Sequence, residues 1–275
     1  FAVSTINVDK EFKWSTDFNI SFNRNKVKSL ELNDVYYYAP IYSNNQQAIV
    51  MRPGLPLGTF FGYVSEGVDP QTGNIIYKDL NGNGTINEAD RTVIGYAQPD
   101  FIYGMTNSFS FKNFSLSVFL QGSQGNDIFN ATRVDLEGMF DHKNQSTDVL
   151  RRWEQEGDIT DIPKATPGNL DNVRNSSRFV ENGSYLRVKS ISLSYNINPE
   201  FLQKIGLTKL SLYATGQNLF TITDYSGFDP EVNAFGSIHA NNDPNGAVNK
   251  GTELGVDYGT YPQSKAVIFG MNLQF

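Results

Sequence analysis

Residues 12–23 read Phe-Lys-Trp-Ser-Thr-Asp-Phe-Asn-Ile-Ser-Phe-Asn. Phe12, Trp14, Thr16, Phe18, Ile20 and Phe22 share one parity, and Lys13, Ser15, Asp17, Asn19, Ser21 and Asn23 share the other. A period of two places the two sets on opposite faces of a β-strand, one apolar and one polar. The same period recurs through the chain. Tyr103, Met105, Phe109 and Phe111 alternate with Gly104, Thr106, Ser108 and Ser110, with Asn107 the polar break in the apolar row. Phe114, Leu116, Val118 and Leu120 alternate with Ser115, Ser117, Phe119 and Gln121. Ile191, Leu193, Tyr195 and Ile197 form another row, Leu210, Leu212 and Ala214 a shorter one, and Val267, Phe269, Met271, Leu273 and Phe275 close the chain. With residues 1–6 read as extended, this makes about seven strands, many near the ~9–11 residues of a tilted membrane strand.

The connections between these strands are lopsided. Residues 8–11, Lys112-Asn113 and roughly 198–207 make short or modest turns, whereas 24–100, 123–184 and 218–264 are long. Short and long alternate, so the short turns fall at one end of an antiparallel sheet and the long connections at the other. That is the plan of an outer-membrane barrel. A secreted, calcium-stabilised β-sandwich that binds carbohydrate is the alternative; it requires the apolar strand faces to meet each other.

Composition narrows the function. The 275 residues carry 22 Lys and Arg against 29 Asp and Glu, a net charge of −7, which argues against nucleic acid as a partner. Cysteine is absent, which removes disulfides, thiolate nucleophiles and Cys-ligated zinc. Two histidines, His142 and His239, lie in separate loops with no nucleophile motif beside them, so binding and passage are expected and catalysis is not.

Several segments, in order, carry a more specific signal: 12–27 (FKWSTDFNISFNRNKV), 58–63 (GTFFGY), 79–95 (DLNGNGTINEADRTVIG), 99–126 (PDFIYGMTNSFSFKNFSLSVFLQGSQGN), 184–195 (SYLRVKSISLSY), 211–221 (SLYATGQNLFT) and 255–275 (GVDYGTYPQSKAVIFGMNLQF). Together they resemble the carboxyl-terminal part of SusC/RagA-type TonB-dependent outer-membrane transporters. The resemblance implies that residues 1–275 form the last strands of a plugged barrel of about 22 strands. It also implies uptake of oligosaccharides or peptides with a SusD-like surface lipoprotein as lid, driven by TonB through the plug. The chain starts at Phe1 without a signal-peptide pattern, and no plug or TonB-contacting segment is recognised in it. Seven strands cannot close a membrane barrel, so the expectation is an antiparallel up-and-down barrel segment in outer-membrane lipid, paired along both edges with the remainder of the barrel. Asp17, Asn19, Ser21, Asn272 and Gln274 are expected to line its lumen.

One local motif points to a metal. In Asp79-Leu80-Asn81-Gly82-Asn83-Gly84-Thr85-Ile86-Asn87-Glu88-Ala89-Asp90, oxygen side chains fall at positions 1, 3 and 5, Gly at 6, a backbone carbonyl candidate at 7 and a carboxylate at 12. That is the spacing of an EF-hand-type calcium loop, with Asp79, Asn81, Asn83, Thr85 and Asp90 as the ligand set. The expected role is structural, and with two carboxylates the affinity is ~10⁻⁴–10⁻³ M. Aromatic residues crowd the long connections: Tyr36, Tyr37, Tyr38, Phe60, Phe61, Tyr63, Phe129, Phe140, Phe220, Tyr225, Phe228 and Phe235. Most are expected to pack the loops into compact caps. Residues 148–156 (DVLRRWEQE) read as a short helix with Trp153 on its apolar side.

Overall fold

A computed structural model of the chain describes residues 1–31, 34–41, 43–198, 202, 207–232 and 254–275. In chain order the strands are β1 (Ala2–Asp9), β2 (Phe12–Ser21), β3 (Tyr36–Ile41), β4 (Gln46–Met51), β5 (Thr59–Gly62), β6 (Ser65–Val68), β7 (Ile75–Tyr77), β8 (Thr92–Tyr96), β9 (Phe101–Phe111), β10 (Phe114–Gln124), β11 (Asp127–Asn130), β12 (Val180–Asn182), β13 (Tyr185–Asn196), β14 (Lys209–Thr223), β15 (Val256–Asp257) and β16 (Ala266–Gln274). A short α-helix, α1 (Thr132–Glu137), follows β11.

The seven strands expected from the period-two rows form one sheet in the order β1-β2-β9-β10-β13-β14-β16, antiparallel throughout. Its register aligns like with like. One rung runs Phe12, Phe111, Phe114, Tyr195, Leu212 and Met271 across six strands; the next apolar rung runs Trp14, Phe109, Leu116, Leu193, Ala214 and Phe269. The apolar face stays open: Phe269 is 78% exposed, Met271 63% and Leu193 46%. The condition for the sandwich alternative, apolar faces meeting each other, is therefore not met among the described residues.

Three strands run on past the periodic rows: bulges reset the phase in β1 and β13, and in β14 a two-residue irregularity interrupts the row without changing its parity. β13 begins at Tyr185, and its register shifts between Val188 and Ser190, leaving Lys189 as the extra residue. β14 continues to Thr223 through Asn218, whose φ of 51° marks its own irregularity. β1 is extended to Asp9, with a shift at Asn7. A bulge moves alternate side chains to the opposite face, so a strict period of two loses the strand there.

The long connections are not plain loops, which corrects the sequence reading. They hold a four-stranded sheet, β3-β4-β5-β8, the hairpin β6-β7, and a small sheet β12-β11-β15. Their core contains Ile41, Ile49, Phe60, Phe129, Val134, Val173 and Phe179, all buried. β5 (Thr59–Gly62) is buried at every position, so it shows no alternation to read. Residues 148–156 are also different from the expected helix. They form a 3-10 turn over Thr147–Arg151, and Trp153 lies beyond it, donating from Nε1 to the Pro70 carbonyl at 2.9 Å.

Two glycines in the large sheet are paired with tyrosines that lie over them. A Cβ at Gly122 would sit 2.3 Å from the Tyr103 ring, and one at Gly270 would sit 2.3 Å from the Tyr213 ring. Tyr103 and Gly122 are register partners, as are Tyr213 and Gly270, so each ring fills the missing side chain across the strand pair. Gly122→Val should therefore displace Tyr103 and lower stability by ~1–3 kcal/mol, the cost of overpacking, measurable as a lower unfolding midpoint of the purified protein.

Candidate functional site

The opposite face of the large sheet is polar and made of small hydroxyls. One rung aligns Lys13, Ser110, Ser115 and Ser194; the next aligns Ser15, Ser108, Ser117, Ser192 and Thr215. Ser192 and Thr215 share a 2.8 Å hydrogen bond, and Ser4 donates to Asp17 at 2.6 Å. The serines border a concavity of about 550 Å³. Asp17, Asn19, Ser21, Asn272 and Gln274 all lie on this face by register, as the alternation predicts. The surface offers donors and acceptors with little net charge, which suits contact with water or a polar chain and supplies no activated nucleophile.

The last long connection is tied to this face by a buried ionic node. Arg187, on β13, is only 2% exposed. Its Nη2 bonds Asp229 at 2.6 Å, its Nη1 bonds Glu231 at 2.5 Å, and its Nε donates to Thr221 at 2.9 Å. The bulged Lys189 reaches the same Glu231 carboxylate at 2.9 Å. Burial alone would raise the Asp229 carboxyl. The Arg187 bond and the N–H groups of Gln263 and Glu231 outweigh that and hold it below the ordinary carboxylate range. The sequence marks Arg187 only as a charge at a polar-face position; its partners lie about forty residues away.

A second node holds the loops to one another. Arg133 on α1 pairs with Glu137 at 2.6 Å and Glu181 at 3.0 Å, and Arg178 pairs with Glu137 at 2.8 Å. Glu181 also accepts from the backbone N–H and hydroxyl of Ser226, both at 2.9 Å. Tyr225, next along, donates to Asp257 at 2.5 Å. The first described end of the last long connection is thus anchored both to the sheet and to the loop core, and Tyr225 ties it to Asp257 on the second described end.

The Asp79–Asp90 segment places its predicted ligands on one loop; the side chains of Asp79, Asn81, Asn83 and Asp90 already accept from the loop's own backbone, and the Thr85 carbonyl accepts from Asn87 Nδ2 at 3.0 Å. Asp79 accepts from Gly82 and Gly84, both at 2.7 Å; Asn81 accepts from Asn83 at 3.0 Å, and Asn83 from Thr85 at 2.8 Å. The turn is possible because Gly82 and Gly84 take φ of 71° and 79°. The Gly84 N–H above all holds the Asp79 carboxyl below its ordinary range. Asp90 is fully buried and accepts from Leu80 and Asn87, each at 2.9 Å, closing the loop onto a 3-10 turn. Among the described residues no cluster of three His, Asp or Glu side chains converges as a metal site. The donor set here is two carboxylates and neutral oxygens, which suits only a hard cation held weakly.

The loop aromatics divide as expected of packed caps: Phe60, Phe61, Tyr63, Phe129, Phe140 and Tyr225 are buried, whereas Tyr37 and Phe228 are exposed. Phe220 belongs instead to β14 and its apolar face, opposite Val188. His142 is exposed in a bend, and His239 and Phe235 lie outside the described residues.

The Arg187 node yields a direct test. Arg187→Met would leave Asp229 and Glu231 buried without their guanidinium, at a cost of ~3–5 kcal/mol. The expected readout is a lower unfolding midpoint together with new protease cleavage within 224–232. In the parent protein the depressed Asp229 value predicts the same release on acidification. Its contribution is complete above the ordinary carboxylate range and is lost as pH falls through the lowered value.

Comparison with known proteins places the chain. No protein-family model matches it. It is 36% identical, over its whole length, to TonB-dependent receptor P3 of Formosa agariphila, of which it covers 28%. It is 27% identical, over 98% of its length, to TonB-dependent receptor SusC of Bacteroides thetaiotaomicron, of which it covers 25%. Among solved structures, the RagAB peptide transporter matches the whole chain with a TM-score of 0.78 at 21% identity, over 28% of that structure's chain, a likeness of fold. The chain thus spans about a quarter of the length of the curated relatives it matches. By sequence the chain's homologues are TonB-dependent receptors, SusC among them, and it shares the fold of the matching part of the RagAB structure.

Proposed function

We propose that this chain forms part of the wall and external loops of a barrel that imports oligosaccharides or peptides across a bacterial outer membrane. One observation carries the reading: a single up-and-down sheet with an open apolar face, a polar opposite face, and its short turns gathered at one end. Such a sheet fits a barrel wall, lipid on one side and lumen on the other.

The aromatic residues support the same placement. At the short-turn end, Phe12 and Trp14 stack on Phe109 at 6.2 and 5.8 Å, and Phe114 meets Tyr195 at 4.7 Å. At the long-connection end, Phe22 contacts Phe1 at 6.4 Å and Phe101 at 5.8 Å. Phe12 and Phe22 are ten residues apart, ~33 Å of strand at ~3.3 Å per residue. Tilted by ~40°, that spans ~25 Å, the height of the apolar band between the aromatic girdles of membrane barrels. The sheet ends in two edge strands, β1 and β16. In lipid their free backbone groups would each cost several kcal/mol, so we assign them to pairing with the remainder of the barrel. A plug, TonB and a SusD-like surface lipoprotein complete the proposed assembly. The RagAB structures, whose fold the chain shares, are described as a peptide transporter and importer.

For the Asp79–Asp90 loop we propose weak structural calcium through Asp79, Asn81, Asn83, Thr85 and Asp90. The support is the ligand spacing and the turn of Gly82 and Gly84. Calorimetric titration of the intact protein should give a Kd of ~10⁻⁴–10⁻³ M that Asp79→Ala abolishes; no heat above dilution would contradict it.

The wall reading has its own test. Leu120 lies on the apolar face and Ser117 on the polar one. Leu120→Arg should reduce the stability of the membrane-assembled protein by ~2–4 kcal/mol, whereas Ser117→Arg should be near neutral. The comparison is made on heat-modifiable migration of the intact protein from outer-membrane fractions. Equal effects, or recovery of the protein as a soluble monomer, would contradict the reading.

A further inference from the structure

Asn-Gly pairs occur four times in the chain, at 81–82, 83–84, 182–183 and 245–246, the last outside the described residues. Such pairs are chemically labile. With no Cβ on the glycine, its amide nitrogen can approach the Cγ of the preceding Asn. The nitrogen first gives its proton to hydroxide and then attacks Cγ. The bond from Cγ to Nδ2 breaks, ammonia leaves with a proton drawn from water, and a cyclic succinimide remains. Water opens that ring at either carbonyl, to aspartate or to isoaspartate. The sum is amide plus water giving carboxylate plus ammonium, with no change of oxidation state.

The Asp79–Asp90 loop holds two of these pairs in succession, with residues 81–84 all exposed. Each Asn side chain is folded back over its own glycine: Asn81 Oδ1 accepts from the N–H of Asn83, and Asn83 Oδ1 from that of Thr85, in rings that enclose the glycine between. Both reactive nitrogens are nevertheless taken by one side chain. The Gly82 N–H donates to Asp79 Oδ1 and the Gly84 N–H to Asp79 Oδ2, each at 2.7 Å. The Gly183 N–H, by contrast, donates to a neutral acceptor, the Asn126 carbonyl, at 2.8 Å. A nitrogen that must become an anion before it attacks is opposed by a carboxylate already seated against it. The carboxylate cannot serve as the base instead, because its acid ionises at about pH 4, far too low to hold the proton of a peptide N–H.

We propose that Asn81 and Asn83 form a modification site for spontaneous deamidation, kept shut in the folded protein by the Asp79 carboxylate across both glycine nitrogens. When Asp79 withdraws, the site reacts. Each conversion adds one negative charge to the loop, and the isoaspartate product also adds a methylene to its backbone. The modification therefore records opening of this loop. The inference stands apart from the membrane-wall reading, because it uses only the loop's own bonds.

The test uses the intact purified protein, parent and Asp79→Ala, aged in mildly alkaline buffer with a chelator present so that no cation bridges the loop. Peptide mass spectrometry measures aspartate plus isoaspartate at positions 81, 83 and 182. Asp79→Ala should convert 81 and 83 about tenfold faster than the parent does, the factor that one hydrogen bond to a charged group gives. Position 182, whose glycine is held by the Asn126 carbonyl, should keep its rate. Equal or slower conversion at 81 and 83 in Asp79→Ala would overturn the guard, and so would an equal rise at all three positions, which marks general loosening. If Asp79→Ala does not fold, the parent is aged both folded and in urea. Unfolding should then speed positions 81 and 83 about tenfold or more, and unchanged rates would overturn the proposal.

Discussion

Backbone hydrogen bonding under an apolar face is the constraint on which the rest of this structure depends. A sheet whose apolar side meets lipid has no water there to satisfy its N–H and C=O groups, so each strand must pair along its length with a neighbour. The long antiparallel ladders from β1 to β16 meet that demand across the sheet interior. The same demand explains how irregularities are handled. The bulges at Asn7, Lys189 and Asn218 interrupt the ladders for one or two residues, after which the pairing resumes. Asn107, the polar break in the apolar row, accepts from Trp14 Nε1 at 3.0 Å and from the Thr16 hydroxyl at 2.7 Å. A polar group on that face is tolerated because neighbours on the same face bond it.

The loops obey different physics. They have a water-excluded core of their own and charged nodes that join segments far apart in sequence. Arg187 lies on the polar face near the long-connection end of β13, so its pairs with Asp229 and Glu231 draw the last long connection onto that face. Replacing such a buried pair with apolar groups is often neutral, whereas breaking it is costly. Its consequence is therefore best described as position: the node fixes where the connection leaves the sheet. In the proposed barrel, that place is the mouth of the import pathway.

How much of this fold is legible in the sequence follows from which features repeat. Rows such as Phe12 to Phe22 and Phe114 to Leu120 carry two contrasted faces, and that contrast survives in any sheet with unlike surroundings. The seven wall strands can be read for that reason. β5 cannot, because Thr59, Phe60, Phe61 and Gly62 are all buried and the two faces do not differ. The front of β13 is hidden by one extra residue, Lys189, whose ammonium serves Glu231. The ionic nodes are invisible for a further reason: Arg187 and Asp229 are brought together by the fold, with nothing local in either segment to announce it. The Asp79–Asp90 loop is legible as a turn from its glycines and Asx residues, which bond the backbone as that chemistry directs.

The central claim is that the two faces of the seven-stranded sheet meet two different media. The chain has no cysteine, so spin labels can be placed singly along it. The most direct measurement is a nitroxide scan of positions 114–121 of β10 in the membrane-embedded protein, comparing collision with oxygen, which partitions into lipid, against a water-soluble nickel chelate. A wall between lipid and lumen predicts a period of two, with oxygen favoured at Phe114, Leu116, Val118 and Leu120 and disfavoured at Ser115, Ser117, Phe119 and Gln121. Accessibility without alternation, or alternation of the opposite phase, would contradict it.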